Sequence, residues 1–111
     1  MSERDGVLDD VLRKIDKCML DFNYLELAQD IWAASREMVA QEDKVFREYL
    51  QWLEGNLDTL VHIDAPSDAL NSFLSKQRDL LRMAMRDVNV LEFAHWEGAI
   101  EYVEGKNSSQ A

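Results

Sequence analysis

The stretch HIDAPSDAL, residues 62–70, contains the strongest turn signal of this 111-residue chain. Its proline, Pro66, is the only one in the sequence, and it suits the first position of a helix because its missing N–H would be unpaired there anyway. Asp64, Ser67 and Asp68 suit a helix N-terminus, where side-chain oxygens accept backbone hydrogen bonds and negative charge is favourable. The stretch therefore predicts a turn and a helix that begins at about residue 66.

A long helix is predicted before this turn. Glycine and proline number only four and one, and neither occurs from Val7 to Glu54. Apolar residues keep one helical phase over residues 24–60, which predicts a single helix. The apolar members of this stripe are Tyr24, Leu25, Ala28, Ile31, Trp32, Met38, Val39, Phe46, Tyr49, Leu50, Leu53, Leu57 and Leu60. Glu42 is the one acidic residue on this stripe, and we expect it to lie opposite Arg82 or Arg86.

Helical periodicity also covers the two ends of the sequence. It predicts a shorter helix over residues 6–22 and a long one over residues 66–104. The fold class is therefore all-α: two long antiparallel amphipathic helices plus a shorter N-terminal helix, in a coiled-coil-like helical bundle. Residues 1–104 are predicted to form a single domain, and residues 105–111, GKNSSQA, to be disordered.

Charge and composition exclude several classes of function. Twelve basic and 22 acidic residues give a formal charge of −10, which disfavours binding to nucleic acid. No apolar run approaches the roughly 20 residues that span a bilayer, so no membrane span is expected. Cys18 is the only cysteine, and residues 1–10 lack the apolar core of a signal peptide. We therefore expect a cytoplasmic protein.

The last predicted helix carries the candidate binding residues. Phe93, Trp96, Ile100 and Val103 follow one another at helical spacing on the side that does not face the hairpin partner. These four side chains are called the C-terminal stripe below. Either the first helix or a second subunit covers this stripe, or it binds an apolar surface. Earlier in the same helix, a possible basic stripe is formed by Arg78, Arg82 and Arg86.

The sequence contains no complete motif for catalysis or metal binding. Glu92 and His95 have the spacing of a di-iron motif, but the predicted hairpin sets residue 95 opposite Ile31, Trp32 and Ser35 rather than opposite carboxylates. No catalytic arrangement, metal site or cofactor motif is predicted, and no enzyme activity is expected. The triplet Trp96-Glu97-Gly98 resembles that of WXG-type secreted helical hairpins, although in that family it occupies the turn between the helices.

Residues 24–104 resemble phasins, the small helical proteins that coat polyhydroxyalkanoate granules in bacteria. The resemblance is carried by residues 65–70, APSDAL, and by the pattern that follows them: Phe73, Leu74, Gln77, Leu80, Leu81, Arg82 and Met85. It implies a coat protein without enzyme activity, whose helices face a polyester and whose acids face the cytosol.

Two functions follow as hypotheses. The first is phasin-like association with an apolar granule surface, which the C-terminal stripe would contact. The second is a helical adaptor or regulator that binds a protein through the same stripe. In both cases we expect a homo-oligomer, a dimer or higher, because a helical rod leaves much apolar surface exposed.

Overall fold

The computed structural model describes residues 3–88. In this range the chain forms four α-helices: α1 (Glu3–Asp21), α2 (Tyr24–Glu37), α3 (Lys44–His62) and α4 (Ser67–Arg86). A short 3-10 turn, Gln41–Asp43, precedes α3. The all-α prediction is confirmed for these residues.

The helix boundaries differ from the predicted ones in two places. The single helix predicted over residues 24–60 is divided into α2 and α3 by residues 38–43. The helix predicted over 66–104 begins at Ser67, with Pro66 as its N-cap, and ends at Arg86, because Asp87 has extended backbone angles. The rest of that prediction and the proposed tail, 105–111, lie outside the described residues. The arrangement with two long helices is thus replaced, over residues 3–88, by shorter helices.

The break after α2 lets the chain reverse direction. Met38 ends the helix with φ −92° and ψ 75°, and its N–H donates to the carbonyl of Ser35. The Met38 side chain is buried, whereas its neighbour Val39 is 74% exposed. Met38 thus covers the end of the core at the turn. Beyond the turn, α3 packs along α2. A continuous helix would have left the same apolar faces in water, at a cost of roughly 25 cal/mol per Å².

Contacts between helices give an up-down-up-down arrangement. Asp30 of α2 lies near Lys14 of α1, across a connection of two residues. Helix α4 runs antiparallel to both of its neighbours. Its Asn71 donates to the Met19 carbonyl and its Arg78 to Asp16, whereas its Gln77 and Phe73 meet Tyr49 and Trp52 of α3.

The core runs along the whole bundle, which measures 44 × 29 × 19 Å. Its largest fully buried side chains come from all the described helices and the α2–α3 turn: Leu8, Ile15, Leu27, Ile31, Met38, Phe46, Tyr49, Leu50, Leu53, Leu57, Phe73 and Leu74. Within residues 3–88, no helix combines the length and the hydropathy needed to cross a bilayer.

A polar pair lies inside this core, between α3 and α4. The Tyr49 hydroxyl donates to Gln77 Oε1 at 2.8 Å, and both side chains are fully buried. Burial raises the pKa of Tyr49 far above its ordinary value, because the phenolate would lose its hydration. The Nε2 of Gln77 has no hydrogen-bond partner among the described residues. The Tyr49 hydroxyl therefore supplies the hydrogen bond that the buried side-chain oxygen of Gln77 needs.

We expect Tyr49→Phe to lower the free energy of unfolding by about 1–2 kcal/mol, because it leaves the Gln77 side chain buried without that hydrogen bond. Urea denaturation measures this change. The matched control is the double variant Tyr49→Phe/Gln77→Leu, which replaces both polar partners and should recover most of the loss. A double variant that is less stable than Tyr49→Phe would contradict this account.

Candidate interaction surfaces

The predicted C-terminal stripe of Phe93, Trp96, Ile100 and Val103 lies outside the described residues, as do Glu92 and His95. The described chain ends at Val88, whose side chain is partly buried against the core. The described part nevertheless carries exposed apolar side chains of its own. These are the candidates for a functional site.

The outward side of α2 forms the first candidate surface. Leu25, Gln29, Trp32 and Arg36 recur at helical spacing and are exposed, while Leu27, Ile31 and Ser35 of the same helix are buried. We call the four exposed residues the α2 outer face. Leu25 is 53% exposed and Trp32 is 48% exposed. A half-exposed tryptophan on a helix is a common anchor for a protein partner, because binding removes a large apolar area of its side chain from water.

Trp32 was expected in the core stripe, and the structure corrects this prediction. Ile31 is fully buried, whereas Trp32, the next residue and about 100° around the helix, is exposed on the α2 outer face. The signal that could have indicated its position is Arg36, four residues on. Arginine stacks favourably on an indole at this spacing and belongs on a solvent-facing side.

The Arg36 guanidinium lies over the Trp32 ring, 4.7 Å from its centroid. Such a cation–π contact contributes roughly 0.5–1 kcal/mol at an exposed site. The Trp32 carbonyl also accepts a hydrogen bond from the Ser35 hydroxyl at 2.8 Å. The cation–π contact limits the rotamers of Trp32 and Arg36 in the free protein. Less conformational entropy is then lost on binding.

The turn between α1 and α2 extends the exposed apolar surface. Leu20 is 83% exposed and Phe22 is 53% exposed. Phe22 has φ 59°, a left-handed conformation that costs a bulky residue about 1–2 kcal/mol. Its N–H closes α1 by donating to the Cys18 carbonyl at 2.7 Å, and its ring lies 6.3 Å from that of Tyr24. The turn thus holds a phenyl ring in water at an energetic cost.

The predicted basic stripe is largely a contact between helices. Arg78 Nη1 donates to Asp16 Oδ1 of α1 at 2.8 Å, and Arg82 Nη2 lies 3.8 Å from Asp16 Oδ2. The hydrogen bond with Asp16 raises the pKa of Arg78. Arg82 was expected near Glu42, whose side chain lies outside the described part of the structure. Arg86 remains exposed at the end of α4.

A cleft between α1 and α4 lies beside Arg86. Its volume is about 790 Å³, and Asp5, Gly6, Asp9, Leu12, Arg13, Arg82, Met85 and Arg86 line it. Leu12 and Met85 supply apolar contacts, and the arginines supply charge. In the stretch 3–88, no three His, Cys, Asp or Glu side chains are grouped as a metal ion would need.

We expect the Asp16–Arg78 pair to contribute about 0.5–1 kcal/mol of coupling energy, because the arginine is three-quarters buried and the hydrogen bond is short. A double-mutant cycle with Asp16→Ala and Arg78→Ala measures it by urea denaturation. The Asp9–Arg13 pair on α1, which is more exposed at 64% and 73%, is the matched control. Its coupling should be about 0.2–0.5 kcal/mol. Equal coupling in the two pairs would contradict the ranking.

Comparison with known proteins gives no relative for this chain. No protein-family model, no curated protein and no solved structure matches it. The similarity to phasins therefore stays a prediction from the sequence.

Proposed function

We propose that this protein is a helical adaptor or regulator without enzyme activity, which binds one protein partner through the α2 outer face. The observation that carries this proposal is the half-exposed indole of Trp32, held under the Arg36 guanidinium at 4.7 Å. Tryptophan and arginine, together with tyrosine, are enriched among the residues that dominate binding energy in interfaces.

The surroundings of Trp32 support a protein partner rather than a small ligand. The α2 outer face is convex, and its side chains are spaced over about three turns of helix, from Leu25 to Arg36. A small molecule prefers a concave site that buries most of its surface. A helix or groove of a partner protein matches a row of anchors at helical spacing.

Charge indicates the chemistry of that partner. The formal charge of −10 attracts basic surfaces over a long range and accelerates their association. The α2 outer face itself contains one cation and no acid. The partner therefore needs an apolar pocket for Trp32, an acceptor for Arg36 and an overall basic charge around them.

A second candidate is the phasin-like coat, in which the chain associates with polyhydroxyalkanoate granules. It is favoured by the resemblance of residues 24–104 and by the exposed apolar side chains of Leu20 and Phe22. In this proposal those residues, the α2 outer face and the C-terminal stripe all meet the polyester, and the charge of −10 keeps coated particles apart. A homo-oligomer, a dimer or higher, is expected for this candidate as for the adaptor.

A fluorescent fusion expressed in granule-forming cells separates the two candidates. The adaptor proposal expects diffuse fluorescence, since no apolar polymer is its target. Fluorescence on granules that is lost in Trp96→Asp, with helicity retained, would favour the coat instead. Light scattering of the purified protein tests the homo-oligomer that is expected for both candidates.

For the adaptor, we expect Trp32→Glu to weaken partner binding by about 30-fold or more, because an interface anchor contributes 2 kcal/mol or more. Quantitative cross-linking in cells of origin identifies the wild-type partner, and titration of the purified pair measures affinity. Ile63→Glu is the matched control: it adds the same charge at another exposed apolar residue, in the α3–α4 turn. Equal loss of affinity in both variants would contradict the assignment to α2.

A further inference from the structure

A second cleft lies beside the break between α2 and α3. It is formed by the first two turns of α1, the end of α2 and the 3-10 turn that precedes α3, and its volume is about 500 Å³. We call it the turn cleft. Val7 and Met38 supply its apolar lining. A cleft of this volume is within the range of roughly 300–1,000 Å³ that is typical of sites for small ligands.

The carboxylate of Asp43 distinguishes the turn cleft. Asp43 lines the cleft and is only 9% exposed, and its Oδ1 is enclosed by protein without a hydrogen-bond partner among residues 3–88. Asp43 is also the N-cap of α3, where an aspartate usually accepts a hydrogen bond from the backbone of the helix. Its side chain makes no such bond. A buried carboxylate without a partner lowers stability, and local conflicts of this kind are typical of functional sites.

Arg4 also lines the turn cleft, but other groups hold its side chain. Its Nη2 lies 3.3 Å from Asp5 Oδ1, and its guanidinium carbon lies 5.4 Å from the centroid of the Phe46 ring. No ion pair joins Arg4 to Asp43 within the described helices and turns. The charge of Asp43 is therefore not compensated by this arginine.

The remaining charged residues of the lining are acidic. Asp10 is paired with Lys14 at 3.0 Å and with Arg13 at 3.8 Å. Glu37 is exposed and has no ion pair within residues 3–88, although its charge acts on Lys14 together with Asp10. The lining thus contains three carboxylates and one guanidinium. This balance favours a cationic ligand.

We propose that the turn cleft binds a primary alkylammonium group, with Asp43 as its main acceptor. Val7 and Met38 would contact the carbon stem of the ligand, as apolar surfaces do for the stem of a lysine. Because Oδ1 is enclosed, only Oδ2 of Asp43 remains for the ligand. A single oxygen suits the compact charge of an ammonium better than a guanidinium, whose fork pairs with both oxygens of a carboxylate.

A metal ion fits the turn cleft less well than an ammonium. Calcium and magnesium need several oxygen ligands around one point. Across residues 3–88, no three His, Cys, Asp or Glu side chains are grouped in that way. An ammonium needs only one strong acceptor, because its other N–H groups can stay in water.

The alkylammonium group belongs either to a free amine or to a lysine side chain of another protein. The second source alone rests on the proposed function, in which the partner of the α2 outer face is basic. No residue of the α2 outer face lines the turn cleft. Loss of partner binding in Trp32→Glu and loss of amine binding at Asp43 are therefore separate results.

An NMR titration of the full-length protein with n-butylamine hydrochloride tests the site. Tetramethylammonium chloride keeps the ionic strength constant, and it has the same charge but no N–H donor. We expect saturable shifts of the backbone amides of residues 38–44. Asp43→Asn should weaken the binding at least tenfold, because it removes the charge from the hydrogen bond that holds the ammonium.

The matched control is Asp68→Asn, which removes the same charge at an exposed position of α4 outside the turn cleft. We expect its affinity for n-butylamine to equal that of the wild type. Equal affinities of the Asp43→Asn and Asp68→Asn variants would overturn the proposal. The same shifts with tetramethylammonium alone would also overturn it, since they would show a response to charge rather than a site.

Thermal unfolding separates a binding role of Asp43 from a structural one. Without amine, Asp43→Asn should raise the melting temperature, because it keeps the shape of the side chain and removes a buried charge. Addition of n-butylamine should raise the melting temperature of the wild type and leave that of Asp43→Asn unchanged. A lower melting temperature of Asp43→Asn without amine would show that the free protein uses this carboxylate for its own folding, contrary to the proposal.

A ligand series tests the chemistry of the group and its source. We expect n-butylamine to bind several-fold more tightly than methylamine, which lacks the stem, and than n-butylguanidine. Equal affinities of these three ligands would contradict the assignment. Binding of Nα-acetyl-lysine N-methylamide within a few-fold of n-butylamine would support a lysine side chain as the source. Binding of n-butylamine without the lysine derivative would support a free amine.

Discussion

The packing of α2 against α3 depends on the reversal of the chain at residues 38–43. Once Met38 has closed the core at this point, the apolar faces of both helices meet inside one molecule. Helices α1 and α4 then complete the bundle, which brings Tyr49 to Gln77 and Asp16 to Arg78. The outward position of Trp32 is a consequence of the same reversal, because α2 can present only one side to the core.

The reversal also changes what the apolar residues can do. In a continuous amphipathic hairpin, a long stripe is available for an external apolar phase. In the bundle, most of that stripe is used for internal packing, and among residues 3–88 the large exposed apolar side chains lie in the α1–α2 turn, on the α2 outer face and at scattered residues such as Val39, Ile63 and Met83. Such separate anchors are better suited to one shaped partner than to a uniform surface, which is why the adaptor is the preferred proposal.

Periodicity in the sequence was sufficient for the helical class and for the turn at Pro66, because both follow from local chemistry. It was insufficient at residues 38–43, since no glycine or proline marks the break and the apolar phase continues across it. Glu42 was the one local irregularity in that phase. Burial against a distant helix, rather than local propensity, decides the break. For the same reason the sequence predicted Trp32 on the buried side. Ile31 and Trp32 are adjacent apolar residues, and only the tertiary contacts decide which of the two faces the core.

The short connections between successive helices have a kinetic consequence. Two residues join α1 to α2, and four join α3 to α4, so these pairs can form with little loss of loop entropy. The α1–α4 seam is different, since Arg78 and Asp16 are 62 positions apart. Fast local pairing followed by late closure of this seam is the order that contact separation favours. Thermal fluctuations that reverse the last step would then separate α1 from α4 first, while α2 and α3, which pack most closely, remain paired.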